Sequence, residues 1–158
     1  MVSAHQTIST NLSLIIASLN EGEELHETLR SIFAGSVLPD EIIVVDDGGT
    51  DGGCSALERD EWRSRCVRVH RIERLGIAAA RNTGSRLATG ARLVFLDAHC
   101  RLDPHCLAAM QAALDARPDA IIRALYELAR LRLEIHRFAF RVSRFAESSC
   151  AKRETMKQ

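Results

Sequence analysis

A carboxylate and an imidazole stand two residues apart in Asp97-Ala98-His99, directly after the apolar run Leu93-Val94-Phe95-Leu96. If that run is a strand, the spacing sends both side chains to one side, because successive strand side chains alternate. An oxygen donor beside a nitrogen donor suits a divalent cation, Mn2+ or Mg2+, that takes its remaining ligands from a phosphate. A second acidic pair, Asp46-Asp47, closes the run Ile42-Ile43-Val44-Val45 and opens the glycine-rich stretch Gly48-Gly49-Thr50-Asp51-Gly52-Gly53. Adjacent carboxylates repel, so they need a cation or hydrogen-bond donors around them. Arg81, in a segment of small residues, can reach an anion. Each group also has a plainer reading. Asp97 and Asp51 would cap turns, His99 would lie on the surface, and Arg81 would sit on a solvated helix face.

Holding these residues together requires a particular order of elements. Leu12-Ser13-Leu14-Ile15-Ile16-Ala17-Ser18-Leu19 reads as a buried strand, and Glu41-Ile42-Ile43-Val44-Val45 as a second, strongly β-branched one. Between them Leu25, Leu29, Ile32 and Phe33 mark the apolar stripe of a helix, with Asn20 as its expected N-cap and Glu23 completing the cap. Cys66-Val67-Arg68-Val69-His70-Arg71 alternates as a third, more exposed strand. A small-residue helix follows from Leu75 and ends at Gly90; then comes the strand 93–96, and a helix opened by Asp103-Pro104 and stopped by Pro118. Strands alternating with helices predict an α/β fold, a mostly parallel sheet flanked by helices on both faces. Parallel strands put their carboxyl ends on one rim, the usual ligand edge of such sheets. That gathers Ala17, Asn20 and Glu21, then Asp46 and Asp47, then Arg71, then Asp97 and His99.

Other chemistries are poorly served. No Gly-x-Gly-x-x-Gly follows the first strand, and no Walker-type phosphate loop is present. The five cysteines are odd in number and form no Cys-x-x-Cys pair, which disfavours a disulfide framework or zinc knuckle and fits a cytoplasmic protein. Residues 1–11 lack the apolar segment of a signal peptide and read as a disordered N-terminus. No apolar run approaches the roughly 20 residues of a membrane span.

Four segments in this order resemble the family 2-type glycosyltransferases of the GT-A fold. They are Ile15-Ile16-Ala17-Ser18-Leu19-Asn20-Glu21, then Ile42 through Asp51, then Leu75 through Gly84, and Leu93 through His99. The resemblance spans about residues 12–119, the nucleotide-sugar-binding part of a Rossmann-like GT-A domain. It implies transfer of a sugar from a nucleoside-diphosphate sugar, a UDP-sugar first, to an unknown acceptor, with Mn2+ or Mg2+ as cofactor. It also implies roles. Ala17, Asn20 and Glu21 would line the nucleotide pocket; Asp46 or Asp47 would hold the base; Arg81 would lie near phosphates or sugar. Asp97 would contact ribose or sugar and share the metal with His99. Two positions depart from the family. Gly49 replaces a common Ser, a change expected to be tolerated in a loop. His99 replaces the more usual second Asp, as in the polypeptide N-acetylgalactosaminyltransferases, and trades a charged ligand for a neutral one.

The charge distribution breaks near Asp119. Residues 1–119 hold 12 basic and 17 acidic residues, whereas residues 120–158 hold nine and four. Ile121, Leu128, Ile135 and Val142 recur every seven residues, as do Arg123, Arg130, Arg137 and Arg144. The spacing predicts a long basic amphipathic helix in the tail 120–158, suited to packing on the sheet or to peripheral membrane or partner-helix contact through residues 120–146. No nucleic-acid module is recognisable there. The resemblance implies a catalytic carboxylate base and an acceptor-binding half after residue 119, and neither is recognisable in the residues that follow. A truncated or frameshifted product, or a non-catalytic nucleotide-sugar-binding protein, is therefore the alternative expectation.

Overall fold

A computed structural model describes residues 11–58, 60–118, 121–127 and 130–136. The chain divides after Ala108 into two compact units. In the first, four strands form one parallel sheet: β1 (Leu12–Ser18), β2 (Glu41–Asp46), β3 (Val67–Arg71) and β4 (Arg92–Asp97). Between them come α1 (Gly22–Phe33), the short turns α2 (Gly53–Ala56) and α3 (Asp60–Arg63), and α4 (Ile77–Leu87); the division falls within α5 (Cys106–Ala116). The strand order is β3-β2-β1-β4. The chain thus winds outward from β1 to β3 and then crosses back to the far side of β1. The gap between the tips of β1 and β4 is the topological switch point, where open α/β sheets form a crevice.

Burial follows from composition and position. Every residue of β2 is buried, so both sheet faces are covered at the centre. The face carrying Ile15, Ile43 and Val45 receives α4, whose alanines and Gly84 permit close approach. A Cβ added at Gly84 would lie 2.4 Å from Ile15 Cγ2 and 3.3 Å from Val45 Cγ2. Gly84→Val is therefore expected to lower stability by about 2 kcal/mol or more, as overpacking of a filled core does. Urea unfolding measures it; an unchanged midpoint would mean that α4 can stand off from the sheet at no cost. α1 buries Leu25, Leu29 and Ile32, the stripe expected of it.

Two expectations are corrected. Strand 93–96 was to be buried; instead β4 is an edge strand among the described residues, with Leu93 and Phe95 39% and 46% exposed. Its apolar composition fits the neighbouring β1, but α4 covers β1 and β2. Asn20 does not cap α1. Glu21 occupies the N-cap, without a side-chain bond, and Asn20 lies in the left-handed region at φ 56°. Asparagine tolerates that conformation better than most residues, and its side chain is freed for another task.

In the second unit, β5 (Ile121–Glu127) and β6 (Arg130–His136) pair antiparallel where the seven-residue spacing predicts helix. Arg130-Leu131-Arg132-Leu133-Glu134-Ile135-His136 in fact alternates with period two, a strand signal that the wider heptad spacing masks. The register sets Ile122 against Ile135, Ala124 against Leu133 and Tyr126 against Leu131. It also sets Arg123 against Glu134 and Glu127 against Arg130. The rest of the expected tail helix, and the expected disordered N-terminus up to residue 10, lie outside the described residues. No helix among the described residues is long and apolar enough to cross a membrane.

Candidate functional site

The rim formed by the strand tips is stitched together by its own polar groups. Asn20 Oδ1 accepts hydrogen bonds from the backbone N–H of Thr50 at 2.7 Å and of Asp51 at 3.3 Å. Asp51 returns the contact: its Oδ2 accepts from Gly22 N at 2.7 Å, and its Oδ1 from Gly53 N at 2.9 Å. One carboxylate thereby serves an orphan N–H at the start of α1 and turns its own loop. The loops after β1 and β2 become one unit. Asp51 has the sequence of a plain turn residue, and nothing local announces that it reaches across to Gly22.

The acidic pair is satisfied as like charges require. Both residues are 4% exposed. Asp46 Oδ1 accepts from Gly49 N at 2.7 Å, while its Oδ2 lies 3.5 Å from Arg71 Nε at the tip of β3. Asp47 Oδ1 accepts from Leu75 N at 2.7 Å and Oδ2 from Gly76 N at 2.9 Å, fixing the entry to α4. Each carboxylate oxygen keeps acceptor capacity beyond these bonds. Arg71 also bonds Glu58 and Ser55, at 2.6 and 2.9 Å. Its guanidinium stays protonated, held chiefly by the Glu58 hydrogen bond, with the Asp46 charge adding to it. Beside this loop Cys54 is buried, and burial first, then the Asp46 and Asp51 charges, push its thiol up to about 11. A thiol so protonated at neutral pH is no nucleophile.

At position 49 the glycine leaves room for the Asp46 carboxylate. A Cβ there would come 2.8 Å from Asp46 Oδ1 and 3.3 Å from Asn20 Oδ1. Gly49→Ala is expected to displace the Asp46 carboxylate and cost about 1–2 kcal/mol. Thermal unfolding of the variant against wild type reads this, and equal melting temperatures would show that Asp46 yields freely.

Across the switch point, Asp97 ends β4, and its Oδ1 accepts from Arg81 Nη2 of α4 at 2.6 Å. The register pairs Asp97 with Ala17, so both belong to the face on which α4 packs. His99 Nδ1 lies 3.4 Å from both carboxylate oxygens of Glu21. Its side chain is 61% exposed, that of Glu21 28%. Thus Glu21, Arg81, Asp97 and His99 fall into two linked pairs around the crevice, and Asn20, Asp46 and Asp47 stand at the neighbouring tips. Among the described residues, no three of His, Cys, Asp and Glu converge to hold a metal ion. Ala98 and His99 lie in a turn, with Cys100 N donating to Asp97 O at 3.3 Å, so the strand alternation expected to send the Asp97 and His99 side chains to one side stops at Asp97. Asp97 and His99 would serve a cation as two separate donors, with phosphate oxygens completing its shell, and not as a closed structural site.

The family model "Glycosyl transferase family 2" matches residues 13–147, across the charge break at Asp119. The chain belongs to glycosyl transferase family 2. It is 36% identical over 115 residues to the polypeptide N-acetylgalactosaminyltransferase 3 of Taeniopygia guttata, covering 70% of this chain and 19% of that protein. Against the validoxylamine A glucosyltransferase of Streptomyces hygroscopicus subsp. limoneus the figures are 35% over 106 residues, 65% and 23%. Among solved structures, the mannosyltransferase PcManGT of Pyrobaculum calidifontis, in complex with GDP-Man and Mn2+, superposes with a TM-score of 0.66 at 29% identity, covering 77% of this chain and 36% of that one. The chain therefore spans a fifth to about a third of the lengths of these proteins. The α/β architecture expected from the alternation of elements is that of the glycosyltransferase GT-A sheet.

Proposed function

We propose that this family 2 domain binds a nucleoside-diphosphate sugar, a UDP-sugar in the first instance, together with Mn2+ or Mg2+, for transfer of the sugar to an acceptor. The observation that carries the reading is the switch-point crevice, where Asp97 and His99 face Glu21 and Arg81 while Asp46 and Asp47 stand at the adjoining tip. A likeness at 29% identity to a structure holding GDP-Man and Mn2+ supports both the donor class and the ion.

Roles follow from chemistry. The N3–H of uracil is a donor, and Asp46 or Asp47 supplies a carboxylate acceptor that neighbouring N–H groups hold in place. Ala17, Asn20 and Glu21 line the nucleotide side of the crevice; Asn20 acts by holding the Thr50–Asp51 loop in place. Arg81 offers a guanidinium to the diphosphate, for which its forked donors suit it. Asp97 would hold the ion with His99 and accept from a ribose or sugar hydroxyl. When bound, the ion would neutralise charge on the departing nucleoside diphosphate.

Titration calorimetry on the whole chain tests the reading, with UDP and with GDP, each with and without Mn2+. Metal-dependent heat with UDP is expected, and weaker heat with GDP. A folded protein giving no heat with either nucleotide would remove the proposal; heat with GDP alone would keep the donor class and overturn the choice of base.

A further inference from the structure

The carboxylate assigned to the metal is already taken. Arg81 Nη2 sits 2.6 Å from Asp97 Oδ1, and both side chains are partly exposed, 40% and 46%. A divalent ion at Asp97 would have Arg81 as a like charge within a few ångströms. His99, its other protein donor, is neutral when it ligates, so it offsets none of that repulsion. With no third His, Cys, Asp or Glu converging among the described residues, the protein alone offers a metal too little charge to displace the guanidinium.

We propose that Arg81 is a placeholder cation: it occupies Asp97 in the empty site, excludes a free divalent ion, and moves to the diphosphate when nucleotide and metal arrive together. This rests on the donor reading above and adds an order of loading to it. The physical reason is charge balance. A nucleoside diphosphate brings two or more negative charges, enough to partner both the ion and the guanidinium. Arg81 can then exchange one oxyanion for another while Asp97 turns to the ion. Both are side chains at partly open positions, so the exchange needs rotamer changes and no shift of the sheet. By thermodynamic linkage, whatever Arg81 does to metal affinity in the empty site, metal does in reverse to the Arg81–Asp97 pair.

The test reads metal occupancy, not turnover. The electron paramagnetic resonance signal of free Mn2+ is titrated with the whole chain, with and without UDP, for wild type, Arg81→Gln and Arg81→Lys. Wild type is expected to take up Mn2+ only when UDP is present. Arg81→Gln, freed of the competing charge, is expected to bind Mn2+ without nucleotide at least about tenfold more tightly than wild type. In the presence of UDP the same variant should be weaker than wild type, because a phosphate partner is gone. Arg81→Lys keeps the charge and should behave as wild type in the metal-only arm. UDP-dependent uptake in wild type, with a metal-only affinity untouched by Arg81→Gln, would overturn the placeholder role and leave the donor reading standing. No UDP-dependent uptake by folded wild type would overturn the donor reading and the exchange with it. Circular dichroism confirms the fold of each variant, and the exposed ion pair predicts little change there.

Discussion

Asp97→Ala is expected to lower the affinity for UDP with Mn2+ by about a hundredfold, equivalent to roughly 2.7 kcal/mol, while leaving the fold intact. The carboxylate is the charged member of the donor pair assigned to the ion, and a neutral His99 would hold it poorly on its own. The structural cost is small because the residue is half exposed, and its pair with Arg81 belongs to a class worth about 0–1 kcal/mol. Calorimetry with UDP and Mn2+ supplies the number. Asp97→Asn separates charge from shape: it keeps the hydrogen-bonding outline and should still lose most of the metal-dependent part. A folded Asp97→Ala protein that binds UDP and Mn2+ as wild type does would place the ion elsewhere and remove Asp97 from the site.

What the sequence made legible was whatever depends on near neighbours. The β-branched run 42–45 ending in two aspartates specifies a central strand with a polar tip, since each feature is contained in a few residues. Repulsion within that pair predicted surrounding donors, and they are Gly49, Leu75, Gly76 and Arg71. What remained hidden depends on the order in which strands assemble. Leu93 and Phe95 have core composition, yet they lie on an edge because β4 joins β1 from the outside. The bond between Arg81 and Asp97 links α4 to β4 through the packing of that helix, and no spacing in the chain records it. Asp51 behaves the same way. Its reach to Gly22 exists only because β1 and β2 are adjacent and parallel. In the second unit two repeat lengths coexist in residues 121–136, seven and two, and the pairing of β5 with β6 accords with the shorter.

The rim is only as well placed as the opposite end of the sheet allows, and there Glu41 is the residue to change. It starts β2 and is 8% exposed. Its Oε1 accepts from Ser13 Oγ at 2.6 Å and from Thr89 N and Oγ1 at 2.6 and 2.7 Å; its Oε2 pairs with Arg68. Burial opposes ionisation, but these donors, led by Ser13 and Thr89 with the Arg68 charge behind them, outweigh it and bring the carboxyl down to about 2. The unfolded chain has no such donors, so its Glu41 titrates near 4.3. A folded-state value below the unfolded one means stability that is fully present above the unfolded value and is lost as pH falls towards the folded one. Glu41→Gln removes that contribution and takes away the negative charge facing Arg68. It should therefore unfold about 2–3 kcal/mol more easily at pH 7. The gap between variant and wild type should narrow from about pH 5 downward and close below about pH 2, where Glu41 too becomes neutral. Urea unfolding of both proteins at several pH values measures the gap directly. A difference independent of pH would show that packing rather than charge makes Glu41 matter. A pH-dependent one would show that the chain anchors three strands, through Ser13, Glu41 and Arg68, with one ionised group set far from the crevice it steadies.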